Sequence, residues 1–165
     1  MEAKNLDPAE PEAFRLALRV RHPSIDPAEL SNAFGIQPAY SYRAGSERPA
    51  RSSFQRTTVH SESYWVGELT AAAQPLELSS FGKERIAQRH VATVKKNLSW
   101  ALTSTCGRML RTHAELLRGI RAQGGEVTLL VTICSDSLDS FSLAPEVSRL
   151  FGELGVGIEF EIANE

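Results

Sequence analysis

The run Tyr40-Ser41-Tyr42-Arg43-Ala44-Gly45-Ser46-Glu47-Arg48-Pro49-Ala50-Arg51, continuing to Phe54 and Arg56, combines arginines, aromatic rings and hydroxyls. A guanidinium grips phosphate or carboxylate through a bidentate fork, and a tyrosine ring stacks on a base or another ring. Tyr42, Arg43, Arg48 and Arg51 are therefore the candidate residues for binding an anionic partner. The plainer reading is a solvated loop with local ion pairs. Of the four histidines, His22, His60, His90 and His113, none stands at metal-ligand spacing from another. His22 lies near Asp26 at a strand-to-helix corner. It suits a general base if a substrate reaches it, although such a histidine more often braces the turn. His113 reads as filling the inner face of a helix.

Catalytic signatures are missing from the text of the chain. There is no GxSxG elbow, phosphate-binding glycine loop, HExxH pair or dinucleotide fingerprint. Cys106 and Cys134 are far apart, each among apolar neighbours, so they suggest a reducing cytoplasm and argue against a zinc site. No metal, cofactor or catalytic residue is expected. At 165 residues, net charge -2 and 42% hydrophobic, the chain has the length to bury a core without disulfides or metal. No apolar run approaches the roughly 18 residues that cross a bilayer.

Charge is unevenly spread. Ser41 to Arg121 carries 13 Lys/Arg against 6 Asp/Glu, while the two ends together carry 5 against 14. An anion-binding middle segment is one explanation. Pairing of acidic and basic segments within the fold is the favoured one, because one such pairing can be drawn. Phe14, Leu16, Leu18 and Val20 alternate with Arg15, Arg19 and Arg21, and Ile158, Phe160 and Ile162 alternate with Glu159 and Glu161. If those strands are neighbours, arginines face glutamates on the solvent side.

Between them lie further elements. Asp26 as N-cap, Pro27 at the first helical position, Glu29 at capping-box spacing and Gly35 as stop define a short helix with Leu30, Ala33 and Phe34 on one face. Tyr64 to Leu69 is a strand, with Trp65 read as core. Leu98, Leu102, Cys106, Met109, His113, Leu116, Leu117 and Ile120 form one long helical stripe ending at Gly124-Gly125, with Gly107 its weak point. Val127 to Cys134 is apolar on nearly both sides and suits a well-covered central strand. A helix from Leu143 to Leu154 with Val147, Leu150, Phe151 and Leu154 inward stops at Gly155. Residues 44–60 and 70–96 lack a sustained period and read as inserted loops.

Glu29-Leu30-Ser31-Asn32-Ala33-Phe34-Gly35 is echoed by Glu146-Val147-Ser148-Arg149-Leu150-Phe151-Gly152. Each copy lies between strands, which gives two strand-helix-strand units. The expected fold is α+β: a ferredoxin-like antiparallel sheet built from those units, helices on one face, with inserted loops and one long helix. Residues 1–12 form an acidic, Pro-containing flexible lead-in, unlike a signal peptide, and residues 13–165 a single domain.

The motifs Val20-Arg21-His22-Pro23-Ser24-Ile25-Asp26-Pro27, Phe34-Gly35-Ile36-Gln37-Pro38, Tyr42-Arg43-Ala44-Gly45, Tyr64-Trp65, Gly124-Gly125-Glu126-Val127 and Leu154-Gly155-Val156 occur in that order. In them the chain resembles domain of unknown function family 4279, a mainly bacterial family. The resemblance covers the chain from about Phe14 onward. It implies a compact α+β domain and carries over no functional residues.

These observations point to a cytoplasmic, non-catalytic protein-binding module, immunity-like or accessory, that works through the arginine-bearing loop and the outer sheet face. The alternative is an enzyme or sensor for a small anionic metabolite, using the same arginines with His22 or His60. Nucleic acid is disfavoured because Val127 to Cys134 offers no ring for a base to stack on. An exposed strand edge would make a homodimer natural.

Overall fold

The computed structural model describes residues 13–48, 58–69, 98–134 and 142–163. The lead-in expected over residues 1–12, much of the two loop stretches, and with them Arg51, Phe54, Arg56 and His90, lie outside the described residues.

Among the described residues five strands form one mixed sheet: β1 (Ala13–His22), β2 (Pro38–Tyr42), β3 (Ser63–Glu68), β4 (Glu126–Cys134) and β5 (Gly157–Ala163), in the order β2-β3-β1-β4-β5. Alternation decides which face each residue takes. Phe14, Leu16, Leu18 and Val20 of β1, Trp65 of β3, and Val127, Leu129, Val131 and Ile133 of β4 are all buried in the core, against the helices. Arg15, Arg19 and Arg21 fall by parity on the outer face, with Tyr64 and Val66 from β3 and Thr128 and Leu130 from β4.

The helices are α1 (Pro27–Phe34), α2, α3 (Ala114–Ala122) and α4 (Pro145–Leu154). In α2, an α-helical turn Leu98–Trp100 leads into a π-helical segment Ala101–Cys106 and then α-helical Gly107–Thr112. The start of α1 matches its sequence signals: Asp26 Oδ1 accepts from the Ala28 amide at 2.9 Å. Pro27, Leu30 and Phe34 are buried, whereas Ala33 faces solvent. Gly35 (φ 66°) and Gly155 (φ 65°) close α1 and α4 in the left-handed conformation that glycine adopts without strain. Those two glycines, not Gly35 and Gly152, are the structural equivalents; Gly152 lies inside α4, so the seven-residue echo is out of step by one turn.

Four expectations change. The long helical stripe breaks at His113 (φ -105°, ψ 19°), whose ring meets Phe34 edge-on at 5.0 Å. Within α2 the larger buried side chains recur every four residues, Leu98, Leu102, Cys106 and Leu110, and Ala101 is buried as well. The Gly107 amide donates five residues back to Leu102, and this wider turn turns Leu110 inward in place of Met109. Tyr40 to Tyr42 belongs to an edge strand, not a loop; β2 is short and exposed, so no burial period marks it. Strand β5 is not beside β1, because β4 lies between them. Arg19 nevertheless reaches past β4 to Glu159 at 2.6 Å, so the expected arginine–glutamate pairing exists across one intervening strand.

The sheet also departs from two units forming a simple ferredoxin-like sheet. Strand β5 adds to β4 in parallel through α4, so five strands replace four and the sheet is mixed. Among the described residues no helix is long and apolar enough to cross a membrane.

Candidate binding surface

Register assembles the surface. Tyr42 pairs with Tyr64, Tyr64 with Arg21, and Arg21 with Glu126, so these four residues form one row across β2, β3, β1 and β4 on the outer face. The rings of Tyr42 and Tyr64 stack at 5.2 Å with 11° between planes, and His60 stacks on the other side of Tyr42 at 3.7 Å. Tyr40 meets Tyr42 and Tyr64 edge-on, at 5.8 and 6.0 Å, and is 60% exposed. Such aromatic pairs contribute about 0.5–1.5 kcal/mol each beyond burial, so the rings hold one another in place.

The backbone after β2 folds back to position His60. Gly45 N–H donates to the His60 carbonyl, His60 N–H to Ser46, and Arg48 N–H to Thr58, at 2.8 to 3.0 Å. The stretch read as a loop thus begins as a paired arm. Arg48 Nε then approaches His60 Nδ1 at 3.4 Å, which sets a cation at the end of the ring stack.

The other arginines are partly neutralised. Arg43 donates to Asp26 Oδ2 at 3.1 Å, the same carboxylate that caps α1. Arg21 donates to Glu62 Oε1 through Nε at 3.1 Å and Nη2 at 2.7 Å, with Glu126 at 3.8 Å. Glu62 raises the Arg21 pKa further. These exposed pairs contribute little to stability but fix where the guanidiniums point. Internal charge pairing, the favoured sequence reading, accounts for Arg19 and Arg21 on the outer face and for Arg43 beside α1.

Partial burial raises the Tyr42 phenol above its usual value, 10.0, and Glu62 adds to this while Arg48 opposes it. The unfolded phenol loses its proton first, so this contribution to stability is complete below pH 10 and declines as pH rises from there towards the folded value. A Tyr42→Phe substitution is expected to remove a phenolate step lying above pH 10 in the ultraviolet titration of the folded chain.

His22 does not join this surface. It is 2% exposed, on the helix side of the sheet, and its Nδ1 accepts from the amides of Ser24 (3.0 Å) and Ile25 (2.8 Å). The lone pair that a general base would use is engaged, and the histidine braces the turn into α1. A cavity of about 340 Å³ at this end of the sheet is lined by Arg21, His22, Pro23, Ser61, Glu62, Gly124 and Glu126. Its one arginine is held by two carboxylates. Burial pushes the Cys106 thiol up to about 12, which leaves it inert as a nucleophile. Among the described residues no group of three His, Cys, Asp or Glu side chains could hold a metal.

Of the candidates from sequence, the structure brings Tyr42 and Arg48 together around His60, turns Arg43 toward α1 and buries His22. Sequence reasoning had Tyr40 in the candidate run and His60 beside the arginines of the metabolite alternative, but missed Tyr64 and Arg21 as members of the same surface. The two-residue spacing of Tyr40 and Tyr42 was a signal for a shared strand face; the register that adds Tyr64 and Arg21 was not in the text.

Over residues 12–165 the chain matches the family model described as Domain of unknown function (DUF4279). The chain belongs to the DUF4279 family. No curated protein and no solved structure matches it. The matched span takes in every residue of the tyrosine–arginine surface of this DUF4279 domain, so the surface is built within the family domain itself.

Proposed function

We propose that this chain is a non-catalytic protein-binding module whose contact surface is the outer face around Tyr40, Tyr42, Tyr64, His60 and Arg48. The observation that carries the reading is the pre-ordered ring stack, open at Tyr40 and flanked by Arg21 and Arg48. Tyrosine and arginine anchors dominate protein interfaces because they add contact area at low entropic cost. Both faces of the Tyr42 ring are occupied by His60 and Tyr64, which favours a partner that meets ring edges and hydroxyls over a stacking base. The small-metabolite reading has less support, since Arg21 and Arg43 already hold carboxylates and the Nδ1 lone pair of His22 is engaged.

The two dispersed cysteines, one of them buried, support a cytoplasmic setting. The antiparallel order β2-β3-β1-β4 supports reading that part of the fold as a ferredoxin-like unit to which α4 and β5 are added. In a quantitative pull-down from native-source lysate, the Arg48→Glu chain is expected to lose a specific protein partner that the unaltered chain retains. A partner retained undiminished by the folded variant would refute this surface.

A further inference from the structure

We infer that two copies of this chain pair through their β2 edges, in a two-fold dimer that joins both sheets into one. The two edges of the sheet are built differently. Strand β5 carries Glu159 and Glu161 on its outer face. Antiparallel self-pairing centred on Phe160 would set glutamate against glutamate, a like-charge clash that natural edges use to prevent pairing. Strand β2, Pro38-Ala39-Tyr40-Ser41-Tyr42, contains no charge, and Ala39, Tyr40 and Ser41 are all exposed. Proline stands at its first position, and the register with β3 shifts between Pro38 and Tyr40, so the regular part of the edge runs from Tyr40 to Tyr42.

This edge complements itself. With the two-fold axis at Ser41, inside the regular part of the edge, Tyr40 faces Tyr42 of the partner subunit. No register of the strand on itself brings like charges together. Aromatic cross-strand pairs of this kind stabilise sheets. A β2-to-β2 joint also closes after one step, whereas β2 against β5 of another copy would continue into a filament. The occupant is therefore a second copy of this chain. Pairing would set the two ring stacks side by side on one continuous outer face. This inference stands apart from the binding role, since it needs only the edge.

Sedimentation velocity of the full chain across a concentration series tests it. The unaltered chain is expected to reach the mass of two chains. Tyr40→Lys, which places two ammonium groups along the joint, should weaken the dimer by about tenfold or more. Ile162→Lys, at an exposed position of β5, should leave it unchanged. Because Tyr40 also touches neighbouring rings, hydrogen exchange of the unaltered chain provides a second readout: amides of residues 38–42 should slow with rising concentration, and those of 157–163 should not. A monomer at every concentration, a dimer weakened by Ile162→Lys, or concentration-dependent protection on β5 in place of β2 would overturn the proposal.

Discussion

Trp65→Ala is expected to cost about 3–5 kcal/mol of folding stability, the range for removing a fully buried large aromatic. The indole is 0% exposed, meets Phe34 at 5.5 Å and donates from Nε1 to Ser31 Oγ at 3.0 Å. It ties β3 to α1. Gly67 makes room for it: a Cβ there would lie 2.3 and 2.7 Å from indole carbons and 2.9 Å from Ile36. Gly67→Ala should therefore cost about 1–3 kcal/mol by overpacking, and clearly less on a Trp65→Leu background. Urea denaturation of the unaltered chain and of these four variants measures both effects. A Gly67→Ala cost that is the same on both backgrounds would show that the indole is not what the glycine accommodates.

Gly125→Ala should be the next most damaging change tested, also about 1–3 kcal/mol. A Cβ at this position would stand 2.6 Å from the His22 ring, 2.7 Å from Ile120 Cγ2 and 2.9 Å from the Ile120 carbonyl oxygen. The carbonyl is backbone and accepts from the Gly125 amide at 2.9 Å, so it cannot withdraw without breaking that bond. The ring is pinned by the amides of Ser24 and Ile25. A larger residue must shift the ring, the Ile120 methyl and the carbonyl together, or move its own backbone away from them. Thermal unfolding of Gly125→Ala and of Gly125→Ala/His22→Ala separates the causes: partial recovery in the double variant identifies the ring as the obstacle. An unshifted melting temperature for Gly125→Ala would contradict the packing described.

What the sequence revealed follows from how local each signal is. The alternation of Phe14 to Val20, the Asp26 cap and the Gly35 and Gly155 stops depend on neighbours within a few residues, and the structure has them where those patterns lie. Strand β2 was harder. Its central residues face solvent on both sides of the sheet, so burial leaves no period, and Tyr40 and Tyr42 read as part of an arginine-rich loop. The placement of β4 between β1 and β5 is likewise a long-range fact. The charges that suggested direct pairing were correct in sign, but Arg19 must span an intervening strand to meet Glu159. His22 fits the plainer of its two sequence readings: the buried ring braces the turn into α1. The binding surface required register most of all, since Tyr42, Tyr64 and Arg21 are separated in sequence and adjacent only in the sheet.

The most direct measurement is site-specific photo-crosslinking in native-source lysate, with a photoreactive amino acid placed at position 58, an exposed neighbour of Arg48, or at position 153 on the exposed side of α4. If the outer face is a protein-binding surface, position 58 yields a discrete adduct with a protein other than this chain, and position 153 does not. An adduct from position 153 alone, or none from position 58 while the chain remains folded, would contradict a protein-binding role for this face.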